Sequence, residues 1–474
     1  MTYKYQKPHS AKQTILRWFV ITILLVFTAT AGTWIWSGRL KGPVIQIQQP
    51  EQFIGQQTQL EVVLDTPAGN FSRISIVLEQ DGKTLPVFTL EDLTDAEISQ
   101  STPNQISIIR QIGSRVIPDL ASGQARLIVQ ASRPTLYGLR EAEATLTREL
   151  TVRLEPPNLW GLSKLHYINH GGSELAIYRV IPNDTESGVQ VGNRQFPSFP
   201  ASSVGITDDP ATRVALFTLS FDFDLHTPIN LYARDPAGNE VLTPLGHRAF
   251  PKPFANSQIR INERFLQRVI PAIVSRTPDL QVPANNLLAA YLSINRDLRQ
   301  SNNNTIAALA KKSAQEMLWT GPFQQLGNSQ VESRFADHRT YIYDGQEVDQ
   351  QVHLGFDLAV TANVPILAAQ RGTVLFSGYL GIYGNCVILD HGLGVQSLYG
   401  HLSTLEVSPG LLVEKGQELG RSGMTGLAGG DHLHFTMLVD GTPVNPLEWW
   451  DQKWMNDRIF LKIRNAGGLP PIEH

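Results

Sequence analysis

Trp18 to Trp36 is an uncharged, mostly apolar run of 19 residues. In a bilayer every backbone polar group must be paired inside the segment, so a single-pass span is a helix, and about this many residues suffice. Lys4, Lys7, Lys12 and Arg17 precede the run, and Arg39 and Lys41 follow it. The more basic flank is expected in the cytoplasm. Residues 1–17 then form a cytoplasmic tail, residues 18–36 a transmembrane helix, and the bulk of the chain lies outside the cytoplasm. A cleaved signal peptide is the competing reading, because Ala29-Thr30-Ala31 has the small-x-small form of a cleavage site. Apolar residues continue past that point to Trp36, which favours an uncleaved anchor.

The remaining chain is too long for one core, and 474 residues suggest roughly three domains. The expected fold class is mainly β. Ile45 and Ile47, then Ile74, Ile76 and Leu78 before Asp81-Gly82, then Leu150, Val152 and Leu154 all alternate with polar residues. Short alternating runs between turn signals predict a β-sandwich over 43–155, closed by Pro156-Pro157. A second, immunoglobulin-like module is expected over 158–250. Its evidence is the period-2 run Phe217, Leu219, Phe221, Phe223 and Leu225, and the turn Asp235-Pro236-Ala237-Gly238-Asn239. Residues 255–318 change to helical spacing: Leu287, Tyr291, Ile294 and Leu298 share one helix face. A second helix is predicted from about Thr305 to Leu318, capped by Asn302-Asn303-Asn304. This segment reads as a helical connector, either helices packed between domains or an arm that occludes a site. Residues 320–455 return to short strands and glycine turns, and 456–474 read as a loose tail.

The 320–455 segment carries six Lys/Arg against fourteen Asp/Glu. A net charge of −8 argues against nucleic acid as a partner, since phosphate contacts need cations. The lone Cys386, in an apolar run, reads as a small buried residue rather than a nucleophile.

Five of the chain's 12 histidines, His353, His391, His401, His432 and His434, fall within 82 residues. That density calls for a metal hypothesis. On a strand, His432 and His434 face one side roughly 7 Å apart, so one can bind an ion while the other reaches its water. His353 and Asp357 are too far apart on a flat strand to share an ion, and Gly355 between them supplies the bend that would bring them together. A histidine, an aspartate and a histidine leave the open fourth position of a catalytic zinc site. There is no HExxH, so the proton acceptor must come from elsewhere. His401, after a predicted strand, is a candidate. His338 and Arg339, just upstream of His353, fit either the border of this groove or a surface loop.

These residues bring the chain to a known family. Val352-His353-Leu354-Gly355-Phe356-Asp357-Leu358-Ala359, Tyr399-Gly400-His401-Leu402-Ser403, Gly416-Gln417-Glu418-Leu419-Gly420, Gly423-Met424-Thr425-Gly426 and His432-Leu433-His434-Phe435 resemble the lysostaphin/LytM-type zinc endopeptidases in order and spacing. The resemblance covers about 100 residues. It implies a small antiparallel β peptidase domain over 320–455, Zn²⁺ as cofactor, His353, Asp357 and His434 as metal ligands, and His401 and His432 as catalytic residues. It leaves His391 structural. It also implies peptidoglycan as substrate, cut at a D,D-cross-link or, as runner-up, a glycyl bridge. With the N-terminal helix, the expectation is a single-pass protein of the cell inner membrane with its catalytic domain in the periplasm. No protein partner is named by the sequence. Some relatives have lost ligands and serve as activators of other hydrolases; all five key positions are intact here.

Overall fold

The computed structural model describes residues 11–67, 70–92, 96–102, 104–207 and 209–468. Most of the expected cytoplasmic tail, and the stretch from 469 onward, lie outside these residues. The chain is mainly β and divides into two compact units. One runs to Pro156 and includes Asp235–Asn239; the other takes Pro157–Arg234 and continues from Glu240.

The first unit opens with helix Ala11–Ser37, and its segment Thr14–Ser37 is long and apolar enough to cross a membrane. Trp18, Phe27 and Trp36 are exposed on it, as on a membrane span or a signal sequence. Two sheets follow. One has the order Val44–Gln49, Thr58–Asp65, Gln105–Ile112, Ala96–Thr102; the other has Phe53–Ile54, Arg140–Val152, Gly123–Thr135, Arg73–Gln80, Lys83–Thr89. Alternation aims Ile74, Ile76 and Leu78 inward, where they join Leu60, Val62, Leu64, Leu127 and Val129 in one core. Asp81 and Gly82 both have positive φ, the two-residue turn whose twist suits a hairpin.

The second unit is organised by an eight-stranded antiparallel sheet. Its order is Gln330–Ser333, Phe356–Ala359, Leu433–Val439, Val395–Leu402, Asn385–Asp390, Gly372–Tyr379, Leu412–Val413, with Thr442–Val444 paired to Leu433–Val439. Both faces are covered. In Asn385–Asp390, Val387 and Leu389 enter one apolar cluster while Cys386 and Ile388 enter another. A strand buried on both sides reads as an unbroken apolar run, not as alternation.

On one face lies the second β segment. Ile168, Phe217 and Leu219 share a cluster with Trp319, Phe356, Tyr399 and Trp449. Polar groups join the two as well. Lys462 Nζ lies 2.7 Å from Glu174 Oε1, and Glu448 accepts hydrogen bonds from Asn169 Nδ2 at 2.7 Å and Ser173 N at 2.8 Å. The expected break between 158–250 and 320–455 is therefore not a break in the core.

On the other face lie helices Glu263–Val274, Leu287–Ser293 and Arg299–Ala310, whose Leu266, Ile270, Tyr291 and Ile306 pack on Ile382, Ile388, Leu398 and Leu438. This segment covers the sheet rather than merely connecting domains. It begins with strand Asn256–Arg260, paired in parallel with Asp337–Tyr343.

Three expectations are corrected. The predicted helix at Thr305–Leu318 instead spans Arg299–Ala310, with Asn302 and Asn303 inside it. Asn302 Oδ1 accepts from Ile382 N at 2.9 Å, and Tyr383 Oη donates to Asn303 Oδ1 at 3.3 Å. Tertiary partners thus occupy amides that would otherwise compete for helix backbone. The period-2 run stops at Leu219, where strand Thr212–Leu219 ends; Phe221 and Phe223 reach the core from a turn in which Phe223 N donates to Ser220 O. Residues 456–465 are helical, not a loose tail, because Ile459, Phe460 and Ile463 share one buried face.

Candidate metal centre

His434 lies on strand Leu433–Val439, opposite Asp357 on one side and Gly400 on the other. Leu433, Phe435 and Met437 fill the cluster shared with the β segment, so His434, Thr436 and Leu438 face the helices. His353 ends strand Gln346–His353, and Asp357 is the second residue of the next, Phe356–Ala359. The chain bends between them at Gly355. A Cβ there would stand 2.6 Å from Thr436 Oγ1 and 2.7 Å from Phe435 O, so only glycine allows this approach.

The bend brings three donors to one point. His353 Nε2, Asp357 Oδ1 and His434 Nδ1 are mutually 3.0 Å apart. A tetrahedral zinc with bonds of about 2.0–2.1 Å spaces its ligands by about 3.3 Å. The donor set and its spacing therefore fit zinc, with one position open.

Each ligand is held from behind. His353 Nδ1 donates to Arg334 O at 3.0 Å, leaving Nε2 as the nitrogen with a lone pair. His434 is reversed: Nε2 pairs with Thr436 Oγ1 at 3.0 Å and Nδ1 faces the site. Arg339 Nη2 lies 2.8 Å from Asp357 Oδ2 and 2.7 Å from Ser333 Oγ. Such partners fix orientation and tautomer in metal sites. Burial pushes the His434 imidazole down to about 4, keeping it neutral as a ligand must be. Burial alone would raise the Asp357 carboxyl, but the imidazoles of His353, His432 and His434 hold it well below the usual range.

His401 and His432 complete the cluster. His432 Nδ1 donates to Gly430 O at 2.9 Å, and its Nε2 stands 3.5 Å from Asp357 Oδ1. His401 Nδ1 donates to Thr425 O at 2.8 Å. Their ring centroids are 4.8 Å apart. His401 reaches this face through a bulge. Tyr399 points into the opposite cluster, so strict alternation would send His401 there too. Instead His401 has φ 64, the pairing with Asn385–Asp390 slips between Asn385 and Val387, and Leu402 joins the cluster of Tyr399. The slipped register turns His401 toward His434, at a ring separation of 5.8 Å. A left-handed histidine is strained, and such strain collects at functional sites.

All five sequence candidates thus meet at one cavity of about 620 Å³. His391 does not join them. It is fully buried, bound to Arg371 O and Ser397 Oγ at 2.7 Å each. Sequence reasoning named Arg339 without a role, and it missed Ser333 and Thr436 altogether. It allowed an occluding arm over 255–318 but named none of the residues from 259 to 299 that line the cavity. No local motif marks them; they arrive through tertiary packing.

Residues 351–446 match Peptidase family M23. Over 97 residues the chain is 39% identical to the DD-carboxypeptidase/endopeptidase Mpg of Neisseria meningitidis, covering 20% of this chain and 22% of that protein. Over 96 residues it is 36% identical to the peptidoglycan DD-endopeptidase ShyA of Vibrio cholerae, again 20% and 22% of the two chains. The match thus spans under a quarter of the length of these curated relatives. Among solved structures, the catalytic domain of lysostaphin from Staphylococcus simulans is 28% identical, with 27% of this chain and 96% of that one covered and a TM-score of 0.23.

Proposed function

We propose that this chain, with its peptidase M23 domain at residues 351–446, is a membrane-anchored zinc metalloendopeptidase that hydrolyses peptide cross-links of peptidoglycan. The observation that carries the reading is the convergence of His353, Asp357 and His434 at 3.0 Å beside two further histidines. The DD-endopeptidase activities named for its relatives favour a D,D-cross-link as the bond. The N-terminal helix anchors the chain in the inner membrane, with the catalytic domain in the periplasm. The two-sheet segments, read as immunoglobulin-like modules, act as spacers.

His353, Asp357 and His434 would hold a zinc ion, which would supply Lewis acidity toward a substrate carbonyl and a bound water. His401 and His432 move the protons. Each commits Nδ1–H to a backbone carbonyl, which leaves Nε2 free to accept the proton of the attacking water and pass it to the departing amine. Arg339 holds Asp357 from the far side and leaves its other oxygen facing His353 and His434.

The test pairs metal content with turnover. His401→Ala and His432→Ala are expected to keep zinc near one per chain while losing about 10²–10⁴-fold in cleavage of purified peptidoglycan. His353→Ala and Asp357→Ala are expected to lose both. Full turnover in both of the first two variants would overturn the catalytic assignment. A second reading, an occluded regulator of another hydrolase, draws on one observation. Helix Glu263–Val274 lines the cavity, and Arg268 Nη2 ties it to Ala428 O at 2.9 Å. Zinc binding without cleavage by the wild type would favour that reading.

A further inference from the structure

The peptidase segment is strongly acidic, yet the cavity at its centre is lined by arginines. Arg260, Arg264, Arg268, Arg299 and Arg339 line it, and among the described residues Asp357 is the one carboxylate that does. Four of these five come from the segment before residue 320, outside the stretch that matches the peptidase family. That segment is built against the site. Strand Asn256–Arg260 pairs with the strand that carries Arg339. Helix Glu263–Val274 starts at Asn262, whose side chain caps Phe265 N at 2.9 Å. Arg264 and Arg268, four apart, share a helix face.

The arginines do different things. Arg339 is spent on Asp357, and Arg299 donates to Asn295. Arg268 is tied to Ala428 O and Gly429 O, beside the Gly430 carbonyl that holds His432. This fixes the helix next to the catalytic pair. Arg260 and Arg264 are exposed on the cavity wall and have no ion-pair or hydrogen-bond partner among the described residues. Two unpartnered guanidiniums beside a peptidase centre are suited to carboxylates, which they bind bidentately.

We propose that Arg260 and Arg264 form a carboxylate-recognition subsite that selects cross-linked peptides bearing free carboxyl groups next to the scissile bond. This rests on the endopeptidase reading and names its substrate class as acidic peptide. Specificity then resides in the helical segment upstream, and the zinc-bearing strands supply the chemistry.

The experiment uses the detergent-solubilised, zinc-loaded full chain. Two probes are compared: a cross-linked stem-peptide dimer with free side-chain carboxylates, and the same dimer with those carboxylates amidated. Binding is measured on the His432→Ala protein, so that it does not depend on turnover. The acidic dimer is expected to bind about tenfold tighter or more. R260Q/R264Q, added to that background, is expected to abolish the preference, and R260K/R264K to restore part of it, with zinc content and Tm unchanged in both. Equal affinity for the two dimers, or a preference that survives R260Q/R264Q, would overturn the inference. Cleavage of the same dimers by the wild type is read separately. Selective binding without cleavage would sink the endopeptidase reading and leave the subsite standing; cleavage without selectivity would do the reverse.

Discussion

Thr436 is a small residue with a large share in the site. Its hydroxyl sits 3.0 Å from His434 Nε2, and that contact decides which imidazole nitrogen faces His353 and Asp357. Thr436→Val keeps the shape and removes the partner. Zinc affinity is expected to fall about 10–100-fold, read by competition with a chromogenic chelator. That His353, Asp357, His401, His432 and His434 would gather at one place was legible, because such residue types are few and their motifs are local. The bend at Gly355 was legible for the same reason: the spacing of His353 and Asp357 demanded it. Thr436 and Ser333 were not, since a hydroxyl behind an imidazole leaves no pattern along the chain. The bulge at His401 was hidden as well. Nothing in Tyr399-Gly400-His401 shows that the histidine will take φ 64 and cross to the other face.

At the scale of elements, the C-terminal helices bring charge into the core they close. Burial raises the Glu448 carboxyl to about 7, against hydrogen bonds from Asn169 and Ser173. The folded state therefore holds a proton that the unfolded chain releases between about pH 4.5 and 7. Stability falls as pH rises through that window. Glu448→Gln keeps an acceptor and cannot ionise. Relative to the wild type it is expected to gain up to about 3 kcal/mol between pH 4.5 and 8, read by urea unfolding at both pH values. Lys462 makes the opposite case. It stands 2.7 Å from Glu174, which is fully buried. Lys462→Met leaves that carboxylate unpaired and is expected to cost about 3–5 kcal/mol, with much of the loss recovered in Glu174→Gln/Lys462→Met. Helix Leu287–Ser293 was legible from its apolar spacing, and the Asp81-Gly82 hairpin from its turn residues. The helix through Asn302–Asn304 was not, because its asparagines are satisfied by Ile382 and Tyr383, some 80 residues away.

At the scale of the whole molecule, the candidate metal centre belongs to one of the two units. The ligands belong to the unit from Pro157 onward, and the first unit has its own core. A zinc ion on these three residues would bind only the folded second unit, so chelation is expected to lower one thermal transition and leave another in place, read by calorimetry with and without a chelator. The sequence pointed to a mainly β chain with an apolar N-terminal helix, but it could not show which segments share a core. Apolar alternation reveals that a face is buried and is silent about what buries it. The shared core has a consequence for the order of events during synthesis. Glu448 and Lys462 meet partners 275 to 288 residues earlier in the chain. The segment from 158 to 250 is made long before the helices that complete its interior. It must wait with Ile168 and Phe217 uncovered, and contacts this distant in sequence form slowly. The eight-stranded sheet and the last helices complete that interior together. A nascent chain that stalls before residue 446 would therefore be an exposed intermediate rather than a smaller finished domain, and the site of the five clustered residues would be walled in only with the closing turns of the fold.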